Sequence, residues 1–172
     1  GYNSFNCNSG YTPASTPNYD EMMEAADIEG MFMMCASVPR VSDAPMDRDR
    51  LYKDPEMQRI FRERAESAIR DVRRHPSVIL YKLNMNMTGY GSDLDPIAVG
   101  DCKIPDDQNQ RETRKSAEWS AVAINEIDPT RPAYNHDSGL LGNFYTANIY
   151  LGWAPPQERA DWMEEWFKRG TK

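Results

Sequence analysis

The sequence predicts an α/β fold built on a parallel sheet, and three observations support this. Strand-like apolar segments alternate with helical ones in the order β-α-β-α-β-α-β-β-α, which is typical of parallel strands joined by crossover helices. Residues 31–38 form a continuous apolar run, as expected for a strand buried on both faces. Hydrophobic residues make up 40% of the 172 residues, enough for one packed domain.

The first third of the chain holds two predicted strands around one helix. Residues 2–7 are short and mixed in character, and a turn-rich segment follows them. Asn18 followed by Glu21 predicts a helix N-terminus with a reciprocal cap. Gly30 predicts the end of that helix, since glycine readily adopts the left-handed conformation found there. The apolar run 31–38 then begins.

The clearest helix signal begins at Asp54 and Pro55, which predict an N-cap and a first helical residue. An apolar stripe follows at helical spacing, with Arg and Glu on the opposite face. Its members are Met57, Ile60, Phe61, Ala65, Ala68, Ile69 and Val72. The pattern ends at the pair His75 and Pro76, and residues 78–83 predict the next strand.

The second half continues the alternation. A helix is predicted from about 111 to 127, strands at 132–136 and 147–150, and a last helix from Pro155 onward. This order fits a doubly wound sheet or a (β/α)₈ barrel, and periodicity alone does not separate them. No Gly-rich phosphate loop follows any strand, which disfavours a nucleotide-binding sheet.

Composition excludes several classes of function. The net charge of −7 and a pI near 4.9 disfavour nucleic acid and basic membrane-binding surfaces. No apolar run reaches the roughly 18 residues of a membrane helix. Cys7, Cys35 and Cys102 show neither metal spacing nor a disulfide framework, and the residues imply no metal and no cofactor. Because the chain begins with Gly, localisation stays open, and a secreted or periplasmic parent is compatible with it.

Residues 75–86, HPSVILYKLNMN, resemble the strand that carries the acid/base glutamate in glycoside hydrolase family 2, which includes β-galactosidases and β-glucuronidases. That family typically reads His-Pro-Ser-hydrophobic-Trp-Ser-Leu-Gly-Asn-Glu here. Three more segments resemble the family in the right order. Residues 1–5 are similar to its second barrel strand, 128–132 to the segment before the fifth strand, and 148–153 to the sixth strand.

The resemblance implies that residues 1–172 form a single, incomplete (β/α)₈ TIM barrel, covering about strands 2–6 with their helices. The first, seventh and eighth strands would be absent, and the nucleophilic glutamate of the family lies on the seventh. The implied substrate is a carbohydrate, with hydrolysis of the O-glycosidic bond of β-linked glycosides. The expected partners are the remainder of the barrel and flanking β-sandwich domains.

The glutamate of the family pattern falls on Asn86, and this departure leaves two alternatives. An amide can hydrogen-bond but cannot deliver a proton at pH 7. Met85 stands where the family has asparagine, and Asn84 could supply that amide to the substrate. Either other residues carry the catalysis, or the barrel binds carbohydrate without hydrolase activity. A third reading, an unrelated α/β interaction domain, would require that the strand ends line no common pocket.

Candidate catalytic and binding residues follow the later strands. His136 could act as a general acid near neutral pH, or could simply hydrogen-bond a loop. Asp93 could replace the lost carboxylic acid, with a turn or a weak cation site as the alternative. Asp137 and Tyr150 are predicted to contact the sugar, with packing as the alternative for the tyrosine. Trp153 could stack on a sugar face or belong to the core.

Overall fold

A computed structural model of the protein has an α/β fold with a four-stranded parallel sheet. The structure describes residues 3–6, 18–35, 38–84, 111–136, 141–144, 146 and 155–169. The strands are β1 (Ser4–Asn6), β2 (Phe32–Cys35), β3 (Val78–Leu83) and β4 (Ala133–Asn135). The helices are α1 (Tyr19–Glu29), α2 (Pro55–Val72), α3 (Arg111–Ile127) and α4 (Pro156–Arg169), with a 3₁₀ turn at Leu51–Lys53.

The strands lie in the order β1-β2-β3-β4, and each neighbouring pair is parallel. This confirms the predicted parallel α/β arrangement. A doubly wound sheet reverses its strand order at a switch point, and the four described strands contain no such reversal. Because all four run in the same direction, their carboxyl ends lie along one edge of the sheet, which we call the carboxyl edge.

Helix α2 forms as its sequence predicted. The Asp54 carboxylate accepts hydrogen bonds from the backbone N–H groups of Glu56 and Met57 at 3.1 and 3.2 Å, and Pro55 is the first helical residue. The buried residues of the helix are Phe61, Ala65, Ile69 and Val72. They face a core that also contains residues from α1, α3 and the sheet, so burial of this stripe holds α2 against the sheet.

Helix α1 ends as predicted and begins after the predicted N-cap residue, Asn18, but without the predicted side-chain cap. Gly30 has φ of +68°, and its N–H donates to the Ala26 carbonyl, as in a left-handed C-terminal cap. The predicted reciprocal cap at Asn18 and Glu21 is wrong. Asn18 has φ of +66° and makes no capping hydrogen bond with its side chain. Side-chain capping normally needs an extended backbone at this position, which the left-handed conformation of Asn18 does not provide.

Strand β2 is shorter and more exposed than its apolar sequence suggested. Among the described residues it covers Phe32–Cys35, and Met31 and Val38, the two ends of the predicted run 31–38, lie outside it. Met33 is 2% exposed and belongs to the core, whereas Phe32 is 46% exposed. The prediction of burial on both faces is therefore wrong for this strand in the described structure. The predicted strand at 147–150 lies outside the described residues.

A buried polar cluster connects β3 to the end of α3 near the amino ends of the strands, which we call the amino edge of the sheet. Asp128 Oδ2 accepts hydrogen bonds from the Tyr81 hydroxyl at 2.7 Å and from Arg131 at 3.1 Å, and Oδ1 accepts the Thr130 N–H at 3.0 Å. Arg131 also donates to the Val78 carbonyl at 2.6 Å. Burial acts to raise the pKa of Asp128, but hydrogen bonds from Thr130, Tyr81 and Arg131 outweigh it and lower the pKa to about 2.

A second contact at the amino edge joins α1 to the start of β3. His75 Nδ1 lies 2.7 Å from Asp27 Oδ2, and the Ser77 N–H donates to Asp27 Oδ1 at 2.8 Å. His75 is 5% exposed. It therefore holds two elements together at the edge opposite to the strand ends.

None of the described helices is both long enough and apolar enough to cross a membrane.

We predict that Asp128→Asn destabilises the protein in a pH-dependent way. The folded-state pKa of about 2 lies below the ordinary 3.8, so the ionised carboxylate stabilises the fold above about pH 4, and this stabilisation is lost as the pH falls toward 2. The difference corresponds to about 2 kcal/mol at pH 7. Denaturant unfolding of both proteins at pH 7, 5 and 3 measures it.

The matched control is Asp20→Asn. The Asp20 carboxylate pairs with Arg74 at 3.0 Å, but its side chain is 65% exposed, so its removal should cost little at any pH. Equal losses for Asp128→Asn at pH 7 and pH 3 would contradict the role assigned to the buried carboxylate.

Candidate functional site

Two residues predicted from the sequence meet at the carboxyl edge of the sheet. Asn84 directly follows β3, and His136 directly follows β4. The backbone N–H of His136 donates to the carbonyl of Asn84 at 3.0 Å, which continues the pairing of the two strands past their ends. The carboxyl ends of parallel strands are where sites form in α/β folds, so this edge is the candidate site.

The side chain of Asn84 is a buried junction of this edge. It is 0% exposed. Its Oδ1 accepts the backbone N–H of Val41 at 2.8 Å. Its Nδ2 donates to Asn135 Oδ1 at 2.7 Å and to Ser120 Oγ at 3.2 Å. The amide thus connects the segment after β2, the helix α3 and the end of β4, and both of its donor N–H groups are used within the protein. Its contact with substrate stays a prediction.

Asn135 extends this network and was not identified from the sequence. It is 1% exposed and donates from Nδ2 to the carbonyls of Ala117, at 3.2 Å, and of Leu141. The local pattern did not identify its role, because two of its partners, Asn84 and Ala117, lie 51 and 18 positions away along the chain. Its position as an asparagine at the end of a buried strand was the one sequence feature that could have indicated a role in this network.

Residues 38–54, which follow β2, form one side of the edge by packing on the first turns of α3. Thr113 Oγ1 donates to Asp49 at 2.5 Å, and the Tyr52 N–H donates to Ser116 Oγ at 3.2 Å. Glu112 accepts a hydrogen bond from the Tyr52 hydroxyl.

Two lysines complete this contact. Glu112 pairs with Lys53 and with Lys115, each at 3.0 Å. The hydrogen bond from Tyr52, and then those from the lysines, lower the pKa of Glu112 to about 2. Glu112 is therefore a fixed anion that anchors the loop, and it is not poised to donate a proton near neutral pH.

A buried lysine lies in β3, close to the strand ends. Lys82, in β3, is 2% exposed and is the register partner of Tyr134 in β4. Paired residues share one face of a sheet, so Lys82 and Tyr134 lie on the same face. Burial raises the pKa of Tyr134 to about 12. Its phenol is therefore neutral near pH 7.

The ionisation of His136 changes the role that the sequence suggested. Burial, and then the charge of Lys82, lower the pKa of His136 to about 4. The imidazole is therefore neutral at pH 7, which disfavours the predicted role as a general acid near neutral pH. A neutral imidazole is suited to accept a proton or a hydrogen bond. Its participation in catalysis stays a prediction.

The other predicted site residues lie outside the described residues. They are Asn86, Asp93, Asp137, Tyr150 and Trp153. Within the described ranges, no group of three or more His, Cys, Asp or Glu side chains could hold a metal ion.

Comparison with known protein families identifies the class. The model of glycosyl hydrolases family 2, TIM barrel domain, matches residues 2–172, which is nearly the whole chain. The chain belongs to this family. No match was found among curated proteins.

We predict that Asn84→Ala destabilises the protein by about 2–4 kcal/mol, because it leaves the buried Val41 N–H and Asn135 Oδ1 without partners. Asn125→Ala is the matched control, since Asn125 lies half-buried on α3 and should change stability by less than about 0.5 kcal/mol. Urea unfolding monitored by tryptophan fluorescence measures both. Similar small losses for the two variants would contradict the account of Asn84 as a junction.

Proposed function

We propose that the chain is part of a (β/α)₈ barrel that binds a β-linked glycoside at the carboxyl edge and hydrolyses its O-glycosidic bond. The single observation that carries this proposal is the meeting of polar strand ends, Asn84, Asn135 and His136, in a domain of glycosyl hydrolases family 2. The consecutive parallel strand order supports the barrel. In this proposal β1–β4 are the second to fifth barrel strands, and residues 147–150 form the sixth.

The proposed chemistry divides proton transfer between two residues. The leaving oxygen receives a proton from the carboxyl group of Asp93, which takes over the role of the family's glutamate. As the glycosidic bond breaks, the family's carboxylate nucleophile bonds to the anomeric carbon. Water then attacks that carbon, the bond to the carboxylate breaks, and the neutral imidazole of His136 accepts the proton that the water loses. Asn86, at the glutamate position of the family pattern, donates a hydrogen bond to the sugar. In this proposal the carboxylate nucleophile of the family lies on a strand outside residues 1–172.

Substrate contacts are proposed for four further residues. Asp137, which follows His136 in sequence, would hydrogen-bond sugar hydroxyls, as would Tyr150. Trp153 would stack on a sugar face through its aromatic ring. Asn84 would act near the substrate chiefly by fixing the edge, since its side-chain donors are used within the protein.

The second candidate function is carbohydrate binding without hydrolysis. Two observations favour it. Asn86 cannot deliver a proton, and His136 is held neutral, so neither supplies an acid near neutral pH. In this case the rest of the barrel and its flanking β-sandwich domains would present a sugar-binding pocket that has lost its catalytic acid.

We predict that the intact protein containing this domain cleaves at least one aryl β-glycoside, and that His136→Ala and Asp93→Ala each lower kcat by about 100-fold or more. Since only the neutral imidazole accepts a proton from the attacking water, kcat should fall on the acid side, below about pH 4. Release of the chromogenic aglycone across a substrate panel, from pH 3.5 to 8, measures both. Asp106→Ala, in the same sequence segment as Asp93, is the control.

The outcomes separate the two functions. Loss of turnover in one variant, with unfolding behaviour and sugar affinity retained, supports hydrolysis and assigns the role to that residue. Absence of turnover on every substrate, together with sugar binding in a calorimetric titration, overturns the hydrolase proposal in favour of the binding function. Full activity in both variants would contradict the proposed roles of His136 and Asp93.

A further inference from the structure

The loop that follows β2 holds an arginine in a fixed position at the carboxyl edge. The Nε and Nη2 atoms of Arg40 each lie 2.8 Å from Asp43 Oδ1. The other carboxylate oxygen of Asp43, Oδ2, accepts the backbone N–H of Arg40 at 2.8 Å, and the Asp43 N–H donates to the Arg40 carbonyl at 3.1 Å. These contacts between two residues fix both the backbone turn and the orientation of the guanidinium relative to it.

This turn rests on the buried junction of the candidate site. Val41, next to Arg40 in sequence, is 0% exposed, and its N–H donates to Asn84 Oδ1 at 2.8 Å. The covalent length of an arginine side chain then keeps the Arg40 guanidinium within about 12 Å of Asn84 Oδ1. Arg40 therefore lies at the rim of the edge, at a distance that suits contact with a substituent of a ligand bound at the strand ends.

The guanidinium of Arg40 is only half used within the protein. Among the residues that the structure describes, its partner is Asp43, and Nη1 makes no polar contact. Arg131, at the amino edge, differs because Nε, Nη1 and Nη2 all donate to neighbouring carbonyl and carboxylate groups. Arg131 thus serves the fold, whereas Arg40, with a side chain that is 43% exposed, keeps the N–H groups of its outer edge for another group.

We propose that Arg40 is a specificity-determining residue of the candidate site, and that the outer edge of its guanidinium binds a carboxylate carried by the ligand, as in a β-linked uronic acid glycoside. Parallel N–H donors on a planar cation match the two oxygens of a carboxylate, and such charge-assisted pairs are roughly twice as strong as neutral hydrogen bonds. Asp43 fixes the donor group before the ligand arrives, so less conformational entropy is lost on binding.

This inference names the substrate class of the proposed function and rests on that function for the position of the sugar. The net charge of −7 gives the protein as a whole no attraction for an anionic ligand, so selection of a carboxylate has to come from a local contact of this kind. Because Arg40 lies at the rim and not at the strand ends, it acts on the choice of ligand and takes no part in proton transfer.

The test compares probes that differ in one group, by calorimetric titration of the intact protein that contains this domain. Methyl β-D-glucuronide is paired with methyl β-D-glucoside, and the corresponding galacturonide with the galactoside. Arg40→Gln removes both the charge and the paired donors, whereas Arg40→Lys retains the charge alone. The matched control is Arg48→Gln in the same loop, because Arg48 is 58% exposed and its Nε lies 4.0 Å from Asp49.

The expected result is specific to the carboxylate. In at least one pair, the uronide should bind about tenfold or more tightly than the neutral sugar. Arg40→Gln should weaken binding of that uronide by about 10- to 100-fold, as for the loss of hydrogen bonds to a charged group, and should change binding of the neutral sugar by less than about threefold. Arg40→Lys should restore only part of the affinity, and Arg48→Gln should change neither. Urea unfolding of each variant checks that the fold is retained.

The contrary results separate this inference from the proposed function. Binding of a neutral sugar without preference for either uronide would overturn the inference and leave the proposed function standing. Equal weakening of charged and neutral ligands by Arg40→Gln would also overturn it, since it would indicate a distorted loop. An equal effect of Arg48→Gln would indicate general electrostatics and overturn it as well. Binding of none of the four probes would contradict the proposed function together with the inference.

Discussion

The side-chain amide of Asn84 joins the end of β3 to three other segments of the chain at the carboxyl edge of the sheet. It binds the loop after β2 through Val41, the helix α3 through Ser120 and the end of β4 through Asn135. Because the amide is fully buried, each of these hydrogen bonds would leave an unpaired polar group if it were broken, which is costly in a low-dielectric interior. The relative positions of the strand ends, and with them any site built there, depend on this contact.

The two edges of the sheet use buried polar groups for different purposes. At the amino edge, Asp128 is ionised and surrounded by donors from Tyr81, Thr130 and Arg131, so its charge is neutralised locally and contributes to stability. At the carboxyl edge, burial, and then the charge of Lys82, lower the pKa of His136. This separation agrees with the general division of α/β barrels into a stabilising amino face and a chemical carboxyl face.

Much of the fold could be predicted from the sequence because it depends on local patterns. The Asp54 cap and the apolar stripe predicted α2, and residues 78–83 predicted β3 with the observed bounds. The reciprocal cap at Asn18 failed, since backbone conformation at a single residue decided it. Strand β2 was predicted too long because an apolar run does not reveal which of its residues pair with neighbouring strands.

The candidate site was only partly predictable. Its location followed from the rule that chemistry lies at the carboxyl ends of parallel strands, and Asn84 and His136 were identified in this way. The hydrogen-bond partners of Asn84 and the protonation state of His136 could not be predicted, because burial and contacts between distant segments determine them. The bond between Asn84 and Val41 spans 43 positions of sequence, and the neutral form of His136 depends on burial and on Lys82 in another strand.

The central claim is that carbohydrate binds at the carboxyl edge, and the two histidines at opposite edges provide a direct measurement. Titrating the ¹⁵N-histidine-labelled intact protein with a soluble β-glycoside at constant pH, with the two ring signals assigned by His75→Gln and His136→Gln, locates the binding by NMR. The account predicts that the His136 signal shifts in a saturable manner while the His75 signal stays in place. A saturable shift of His75 alone, or of neither ring while calorimetry registers binding, would contradict it.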